Sequence, residues 1–271
     1  QSGGRFEGYL GRFRRPAENT AQDRAAAQAD RIRQLLHELR TPVNAIQGFA
    51  EVIQQQLFGA TPHEYRALAA AIAGDSARML AGFDELDRLA KLEGGVSEME
   101  AGEADIAAIL RRQSEQLQTV LSPRVARLAT DWALAHAVVE IAVQEAELLS
   151  WRVLATIASA TGAGETVRIS LTAQDGAMCL RCALPQTLAT AKDIFSTETR
   201  PVGGALSPGI FGAGFALRLA RAEARTIGGD LYREEDDLLL SLPILSPVDS
   251  AFSSPDMSGA AGDDLRKGAA N

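Results

Sequence analysis

Residues 32–57 read IRQLLHELRTPVNAIQGFAEVIQQQL, and the spacing of their apolar side chains decides the first part of the fold. These side chains recur at steps of three and four residues, which is typical of a helix that packs in a coiled coil or a four-helix bundle. The stripe consists of Ile32, Leu35, Leu39, Val43, Ile46, Ala50, Ile53 and Leu57. Because an alanine-rich segment precedes it, we expect the helix to begin near residue 20.

A second helix is predicted after a short break. Residues 58–64 read FGATPHE, in which Gly59 is suited to ending one helix and Pro62 to beginning another. A second stripe then runs to the glycines at 94 and 95 through Leu68, Ile72, Met79, Phe83, Leu86 and Leu89. Two antiparallel helices cannot cover both stripes alone, whereas two copies of the hairpin can do so as a four-helix bundle. The sequence therefore predicts that residues 19–95 form a homodimer.

The pattern changes after an acidic linker that ends near residue 104. Helices are predicted at about 105–121, 145–160 and 213–227, with a short strand at about 137–143. TVRISLTA and AMCLRCAL flank Asp175-Gly176, which indicates a β-hairpin, and YREEDDLLLSLPIL indicates a closing strand pair. Such a mixture predicts an α+β fold over residues 104–245, with the helical hairpin followed by an α/β sandwich. Residues 246–271 consist mainly of Ser, Pro, Gly, Asp and Ala, a composition that cannot bury a core, so we expect disorder there.

Charge and cysteine content exclude several classes of function. A net charge of −8 and a pI near 5.0 argue against nucleic acid or an anionic membrane as a partner. Two cysteines are too few for a disulfide framework, which favours a reducing, cytoplasmic setting. Their spacing in a strand places Cys179 and Cys182 on opposite faces, so we predict no metal site. No apolar run approaches about 18 residues, and the first residue is Gln, so we expect a piece of a longer protein without membrane contact of its own.

Residues 37–42, HELRTP, gather several reactive groups on the first helix. At 100° per residue, His37 lies about 200° from the neighbouring stripe residues, so we expect its imidazole to face solvent. Thr41 follows one turn later on that face, and Glu38 can hold or take a ring proton. Pro42 lacks an N–H group and removes a hydrogen bond of the helix. The alternative is a surface histidine on a helix that contains a proline, although an interior proline costs about 3 kcal/mol.

The same residues resemble a known family. HELRTPVNAIQGFAEV is similar to the phosphoacceptor box of sensor histidine kinases, and DELDRLAKLEGG, residues 84–95, is similar to the end of their second dimerisation helix. The resemblance implies that His37 accepts a phosphoryl group, that Glu38 acts as a base and that Thr41 positions water. It also implies a response-regulator receiver domain as partner. RFEGYLGRFRRP, within residues 1–18, resembles the last strand of a PAS sensor domain.

Residues 104–245 resemble the ATP-binding domain of that family, of the GHKL type, but only in part. Residues 193–195 are similar to its phenylalanine-bearing box, and Gly209, Gly212 and Gly214 are similar to its glycine box, where backbone N–H groups meet phosphate. Other positions depart from the family. Thr156 and Ala160 stand where asparagines hold Mg²⁺ and phosphate, and residues 184–188, LPQTL, replace an Asp-x-Gly-x-Gly turn that binds adenine. We therefore predict weak or absent binding of ATP and Mg²⁺.

Three functions remain open at this stage. The first is a dimeric phosphorelay protein that exchanges phosphoryl groups with a response-regulator aspartate through His37 and has a degenerate ATP site. The second is an active ATP-dependent kinase with a divergent site, which the glycine box favours. The third is a non-catalytic pseudokinase scaffold that binds a regulator or a kinase. Nucleotide titration separates the second function from the others, and phosphoryl transfer to His37 separates the first from the third.

Overall fold

The computed structural model describes residues 21–95, 99–196 and 210–245, with side chains described from residue 27 onwards. The PAS-like strand predicted within residues 1–18, the disordered segment predicted at 246–271 and Gly209 all lie outside the described residues.

Two long helices form the predicted hairpin. Helix α1 spans Ala21–Gln54 and continues through Pro42, and α2 spans His63–Glu93. Between them the backbone turns with positive φ angles at Gln56 and Gly59. The helices face each other through α1 residues spaced seven apart, and this spacing keeps one line of side chains against α2. The buried α1 residues are Ala29, Leu36, Val43 and Ala50.

The single stripe predicted on α1 is wrong in one respect, because it divides into two faces. Val43 and Ala50 are buried against α2, together with Leu36, which the prediction did not include. Ile32 is partly buried against the same cluster, whereas the other large members of the stripe are about half exposed or more, namely Leu35, Leu39, Ile46, Ile53 and Leu57. On α2, Leu68, Ile72 and Met79 are exposed in the same way. The hairpin therefore covers only part of its own apolar surface.

An α/β domain follows the hairpin, as predicted. Its five-stranded sheet has the order β2-β4-β5-β7-β6, in which β2 is parallel to β4 and the other pairs are antiparallel. The strands are β2 Arg127–Trp132, β4 Thr166–Gln174, β5 Ala177–Ala183, β6 Asp230–Glu234 and β7 Asp237–Pro243. A separate two-stranded pair joins β1 Ala104–Asp105 to β3 Val138–Val139.

Three long helices pack against the sheet and enclose the main core. They are α3 Ile106–Leu121, α4 Val143–Ala160 and α6 Gly212–Thr226, while α5 is a single turn at Gln186–Ala189 and a 3-10 turn spans Ser122–Arg124. The core residues come from both layers and include Leu110, Leu154, Leu171 and Leu240. Within the described residues, no helix is both long and apolar enough to cross a membrane.

Two strand predictions differ from the structure. The strand expected at 137–143 is only the two-residue β3, because α4 already begins at Val143. Strand β2 was not predicted, since its sequence RLATDW lies mostly exposed at the sheet edge and has no clear alternation. The hairpin at Asp175-Gly176 is confirmed, and both residues have the positive φ that its turn requires.

Candidate functional site

His37 lies on the exposed side of α1. Its neighbour Leu36 is buried against Phe83 of α2, whereas Leu39 belongs to the apolar face that the hairpin leaves open. At 100° per residue, His37 points about 160° away from Leu39. The imidazole is therefore exposed on the side opposite the open apolar face.

Glu38 and Thr41 are also exposed and accompany His37 on this part of the helix. Thr41 is one turn further along, about 40° from His37 around the axis. Gln34 Nε2 donates a hydrogen bond of 3.3 Å to Glu38 Oε1, which orients this carboxylate along the helix surface. Nearby, Arg40 forms an ion pair with Asp84 and so ties this turn of α1 to α2. The predicted site residues of the hairpin thus share an accessible surface on a braced helix.

Two predicted glycines lie at the start of α6. Gly212 is its first residue and has a φ of 83°, which favours glycine. Gly214 has a packing role, because a Cβ at this position would overlap the backbone carbonyl of Ser196. Residues 194–196 therefore cross directly over the first turn of α6. Both glycines are explained by backbone geometry, independently of any phosphate.

Thr156 and Ala160, where the family resemblance expects asparagines, are enclosed in the core. Thr156 is fully buried, and its hydroxyl donates to the carbonyl of Arg152 at 2.6 Å. Ala160 is also buried, and its carbonyl accepts a hydrogen bond of 2.8 Å from the hydroxyl of Thr187. The structure therefore joins the end of α4 directly to the segment 184–188. Neither position presents a free polar group for a metal ion or a phosphate.

Segment 184–188 is a compact turn rather than a glycine-rich loop. Leu184 and Leu188 are buried in the main core, and α5 occupies the rest of the segment. The backbone N–H of Gln186 donates to the Glu165 carboxylate at 2.8 Å, which fixes the turn from outside. The place where the family resemblance puts an adenine-binding carboxylate is thus filled by leucine side chains.

A cavity of about 610 Å³ lies elsewhere, between the end of α2, α6 and the turn at residues 193–195. Arg218, Arg221 and Arg225 line it. Arg218 pairs with Glu93, the other two pair with Asp230, and Arg221 also stacks over the Phe195 ring at 4.9 Å. The three arginines share two carboxylate partners, Glu93 and Asp230, and Asp193 is a further carboxylate in the cavity wall.

The cysteines occupy opposite faces of β5, as predicted. Cys182 is fully buried and Cys179 half-buried. Burial raises the pKa of the Cys182 thiol to about 12 and also raises that of Cys179. Both thiols therefore stay protonated at neutral pH. Among the described residues, no group of three or more His, Cys, Asp or Glu side chains could hold a metal ion.

Sequence reasoning missed a buried charge cluster where α2 meets the α/β domain. Glu223 of α6 is fully buried between Arg88 of α2 and Arg152 of α4. A signal was present, because Glu223 lies four residues after Leu219 on the apolar stripe of α6. A charged residue on a buried stripe requires a partner of opposite charge.

Comparison with known proteins agrees with this architecture. Residues 27–95 match the family of the His Kinase A (phospho-acceptor) domain. The chain is 27% identical over 254 residues to the histidine protein kinase DivJ of Caulobacter vibrioides, an alignment that covers 87% of this chain and 40% of DivJ.

Solved structures share the fold. Full-length ShkA in complex with AMPPNP superposes with a TM-score of 0.63 at 18% identity, covering 82% of this chain and 47% of ShkA. The histidine kinase AdeS of Acinetobacter baumannii gives a TM-score of 0.50 at 17% identity, covering 78% of this chain and 98% of AdeS. The chain spans less than half the length of DivJ and of ShkA. Residues 27–95 thus belong to the His Kinase A (phospho-acceptor) domain family, and most of the chain is similar in sequence to the histidine kinase DivJ.

Proposed function

We propose that this chain is a dimeric phosphorelay protein in which His37 carries the phosphoryl group and the nucleotide site is degenerate. The observation that carries the proposal is the exposed His37, which lies within the matched phospho-acceptor domain and faces away from the open apolar face of α1. An exposed imidazole nitrogen on a rigid helix can be reached in line by the aspartyl phosphate of a receiver domain.

The proposed transfer uses groups of this chain at known positions. A ring nitrogen of His37 forms the new N–P bond while the P–O bond to the regulator aspartate breaks, and the aspartate leaves as a carboxylate. Glu38, the next residue, takes the ring proton. Thr41, one turn away, orients the water that removes the phosphoryl group from the regulator. In this scheme ATP is not the donor.

The dimer is proposed from the open apolar face of the hairpin. Leu35, Leu39 and Ile46 on α1 are about half exposed, and Leu68 and Ile72 on α2 are exposed to a similar extent. Apolar area buried between two hairpins contributes about 25 cal/mol per Å², so a contiguous face of this kind strongly favours association. His37 remains outside this interface.

The degenerate site is proposed from the way the α/β domain fills the positions that a nucleotide needs. Thr156 bonds within its own helix, Ala160 is joined to Thr187, and Leu188 is buried in the core. Loss of a recognition group for a buried ligand costs about 1–3 kcal/mol each, which is one to two decades in affinity. With several such losses together, we expect weak or absent binding of ATP and Mg²⁺.

An active kinase is the second candidate, and one observation favours it. Gly212 and Gly214 lie at the N-terminus of a 15-residue helix, where N–H groups and the helix dipole attract phosphate. An active kinase must bind a nucleotide, so the affinity of this chain for ATP distinguishes the active kinase from the phosphorelay protein.

The test follows radiolabelled phosphate from a phosphorylated receiver domain to this chain. We expect labelling of the wild-type chain that His37→Ala abolishes, because the variant lacks the nucleophile while its exposed position leaves folding unaffected. His63→Ala is the matched control, since His63 is an exposed histidine at the start of α2. Absence of label in the wild type with intact regulator binding would favour the scaffold.

A further inference from the structure

The α/β domain contacts the hairpin through a small apolar patch that is separate from both cores. Its buried residues are Leu89 and Leu92 of α2 and Phe215 and Leu219 of α6. Neither the main core of the α/β domain nor the cluster inside the hairpin includes these side chains. The two parts of the chain therefore have their own cores and meet through a third, smaller set of contacts.

Further contacts between α2 and the α/β domain flank this patch at both ends. At one end, Ile210 and Phe211 lie against Gly82, where a Cβ would overlap the Ile210 side chain. At the other end, Arg218 makes a bidentate pair with Glu93, with N–O distances of 2.7 and 2.9 Å. The start of α6 is thus placed beside Gly82, and its later turns lie beside the end of α2.

A buried carboxylate completes this contact. Glu223 is fully buried, and each of its oxygens has one arginine partner. Oε1 accepts from Arg88 Nε at 2.6 Å, and Oε2 accepts from Arg152. Arg88 also pairs with Glu145, whose carboxylate is only 16% exposed. A charge cluster with so little exposure is screened weakly by solvent and depends on every partner being present.

Arg88 is the only arginine that the hairpin contributes to this cluster. Arg152, Glu145 and Glu223 belong to the α/β domain and together have one excess negative charge, which Arg88 neutralises. If the domain leaves α2, Arg152 can remain with Glu223, while Glu145 and Arg88 gain water. Separation therefore leaves no buried charge without a partner, in contrast to the rupture of an ordinary core.

The contact between the two parts of the chain also affects a carboxyl group of the hairpin, that of Glu85. Burial raises the pKa of Glu85, Arg152 acts in the opposite direction and Glu223 raises it further. This side chain loses hydration in the docked position and regains it on release. The contact thus combines favourable apolar and ionic terms with a desolvation cost, which is the balance expected of a reversible interface.

We propose that Arg88 is the hairpin residue of a reversible lock that holds the α/β domain on its own α2. In the locked position, Ile210 and Phe211 lie beside Gly82, and the adjacent Phe83 packs on Leu36, the neighbour of His37. The lock therefore holds the start of α6, which contains Gly212 and Gly214, beside the part of the hairpin that carries His37. When the lock is released, the domain can move away from this part of the hairpin. The lock itself is independent of phosphoryl chemistry, and only its consequence for His37 rests on the proposed function.

Hydroxyl-radical footprinting of the full chain tests the lock in Arg88→Met, which keeps the length of the side chain and removes the charge. We expect oxidation of Leu92 and Phe215 to rise severalfold, because both are buried only by the contact between α2 and α6. Leu110 and Leu154 in the main core should remain protected. Arg112→Met is the matched control, since Arg112 forms an arginine–glutamate pair with Glu147 inside the domain. It should leave Leu92 and Phe215 unchanged.

Glu145→Gln removes the second partner of Arg88 from the domain side, and we expect a smaller increase at the same two residues. Unchanged oxidation of Leu92 and Phe215 in both lock variants would overturn the proposal. Equal increases in the main core would also overturn it, because Arg88 would then be a residue required for folding. Loss of phosphoryl label on His37 with a normal footprint would bear on the proposed function alone.

Discussion

Thr41 lies one helical turn beyond His37 on the exposed side of α1, and its neutral hydroxyl is suited to orienting water. We predict that Thr41→Ala leaves labelling of His37 largely intact but slows dephosphorylation of the regulator. One hydrogen bond to one water contributes at most a few kcal/mol, so the slowing should be roughly ten- to a hundredfold. The measurement follows label on both partners over time. If Thr41→Ala abolished labelling as completely as His37→Ala, the division of roles would be wrong.

Asp105 supports the α/β domain through four hydrogen bonds. Its carboxylate accepts from the N–H groups of Ala107 and Ala108 at the start of α3, from the N–H of Ala137 and from His136 Nδ1 at 2.7 Å. Burial alone raises the pKa of Asp105, but the bonds from His136 and from the backbone outweigh burial, so the pKa is lowered. A lowered pKa means that this stabilisation is present above the unfolded value of about 4 and is lost as pH falls through the folded value.

We therefore predict that Asp105→Ala lowers the free energy of unfolding of the domain by about 1–2 kcal/mol at neutral pH, because the helix cap is lost. The difference from the wild type should shrink below about pH 4, where the carboxyl of the unfolded chain takes up a proton, and should disappear as pH falls through the lower folded value. Urea unfolding at several pH values measures this. Asp105→Asn is the control, since it keeps an acceptor for the cap and cannot titrate. A wild-type advantage that persists unchanged in acid would contradict the assignment.

The exposure of His37 could be predicted from the sequence, whereas the lock could not. A helix repeats every 3.6 residues, so the apolar stripe on α1 also determines which residues face away from it. The partners of Glu223 are Arg88 and Arg152, which lie on two other helices, α2 and α4. Local sequence indicates that Glu223 needs a partner but contains no information on which arginine reaches it.

At the scale of the element, the open face of the hairpin gives a prediction about assembly. We expect Ile46→Glu to convert a dimer into a monomer, because Ile46 lies on this face and a carboxylate buried there without a partner costs about 3 kcal/mol or more. Light scattering with circular dichroism measures the mass and the helicity. Asn44→Glu is the matched control, since Asn44 is exposed about 160° away around α1 and should leave the mass unchanged. A wild-type chain that is monomeric and fully helical would refute the dimer.

Elements with a strong local signal were predicted well. The hairpin helices, α3, α4 and α6 have long periodic patterns, and the β4–β5 turn has Asp175-Gly176. Strand β2 has no such signal, because its register is fixed by the parallel pairing of Arg127–Trp132 with β4. The α1 stripe was predicted as one surface, since its period cannot separate side chains that meet α2 from those that stay open. That separation depends on where α2 lies.

At the scale of the whole molecule, the α/β domain is packed with side chains at the positions where the family resemblance expects nucleotide contacts. The sheet order, the helical layer and the hairpin are all present. The packed positions lie where α4 meets segment 184–188, and there they contact one another. The Thr187 hydroxyl donates a hydrogen bond to the carbonyl of Ala160 at the end of α4, and the buried side chain of Leu188 fills the adjoining space. A fold can lose a ligand site in this way without losing stability, because core packing replaces the contacts that the ligand supplied.

This arrangement predicts the response of the whole chain to nucleotide. We expect millimolar AMPPNP with Mg²⁺ to leave the unfolding temperature unchanged, whereas ShkA, whose structure contains AMPPNP, serves as the positive control. A ligand at about a hundred times its Kd stabilises a protein by about 2.7 kcal/mol, which shifts the unfolding temperature by several degrees. Leu184→Asp should not restore binding, because the new carboxylate would still meet a space filled by Leu188 and closed by Thr187. A clear upward shift in the wild-type chain would instead favour the active kinase, and labelling of His37 from ATP would then establish it.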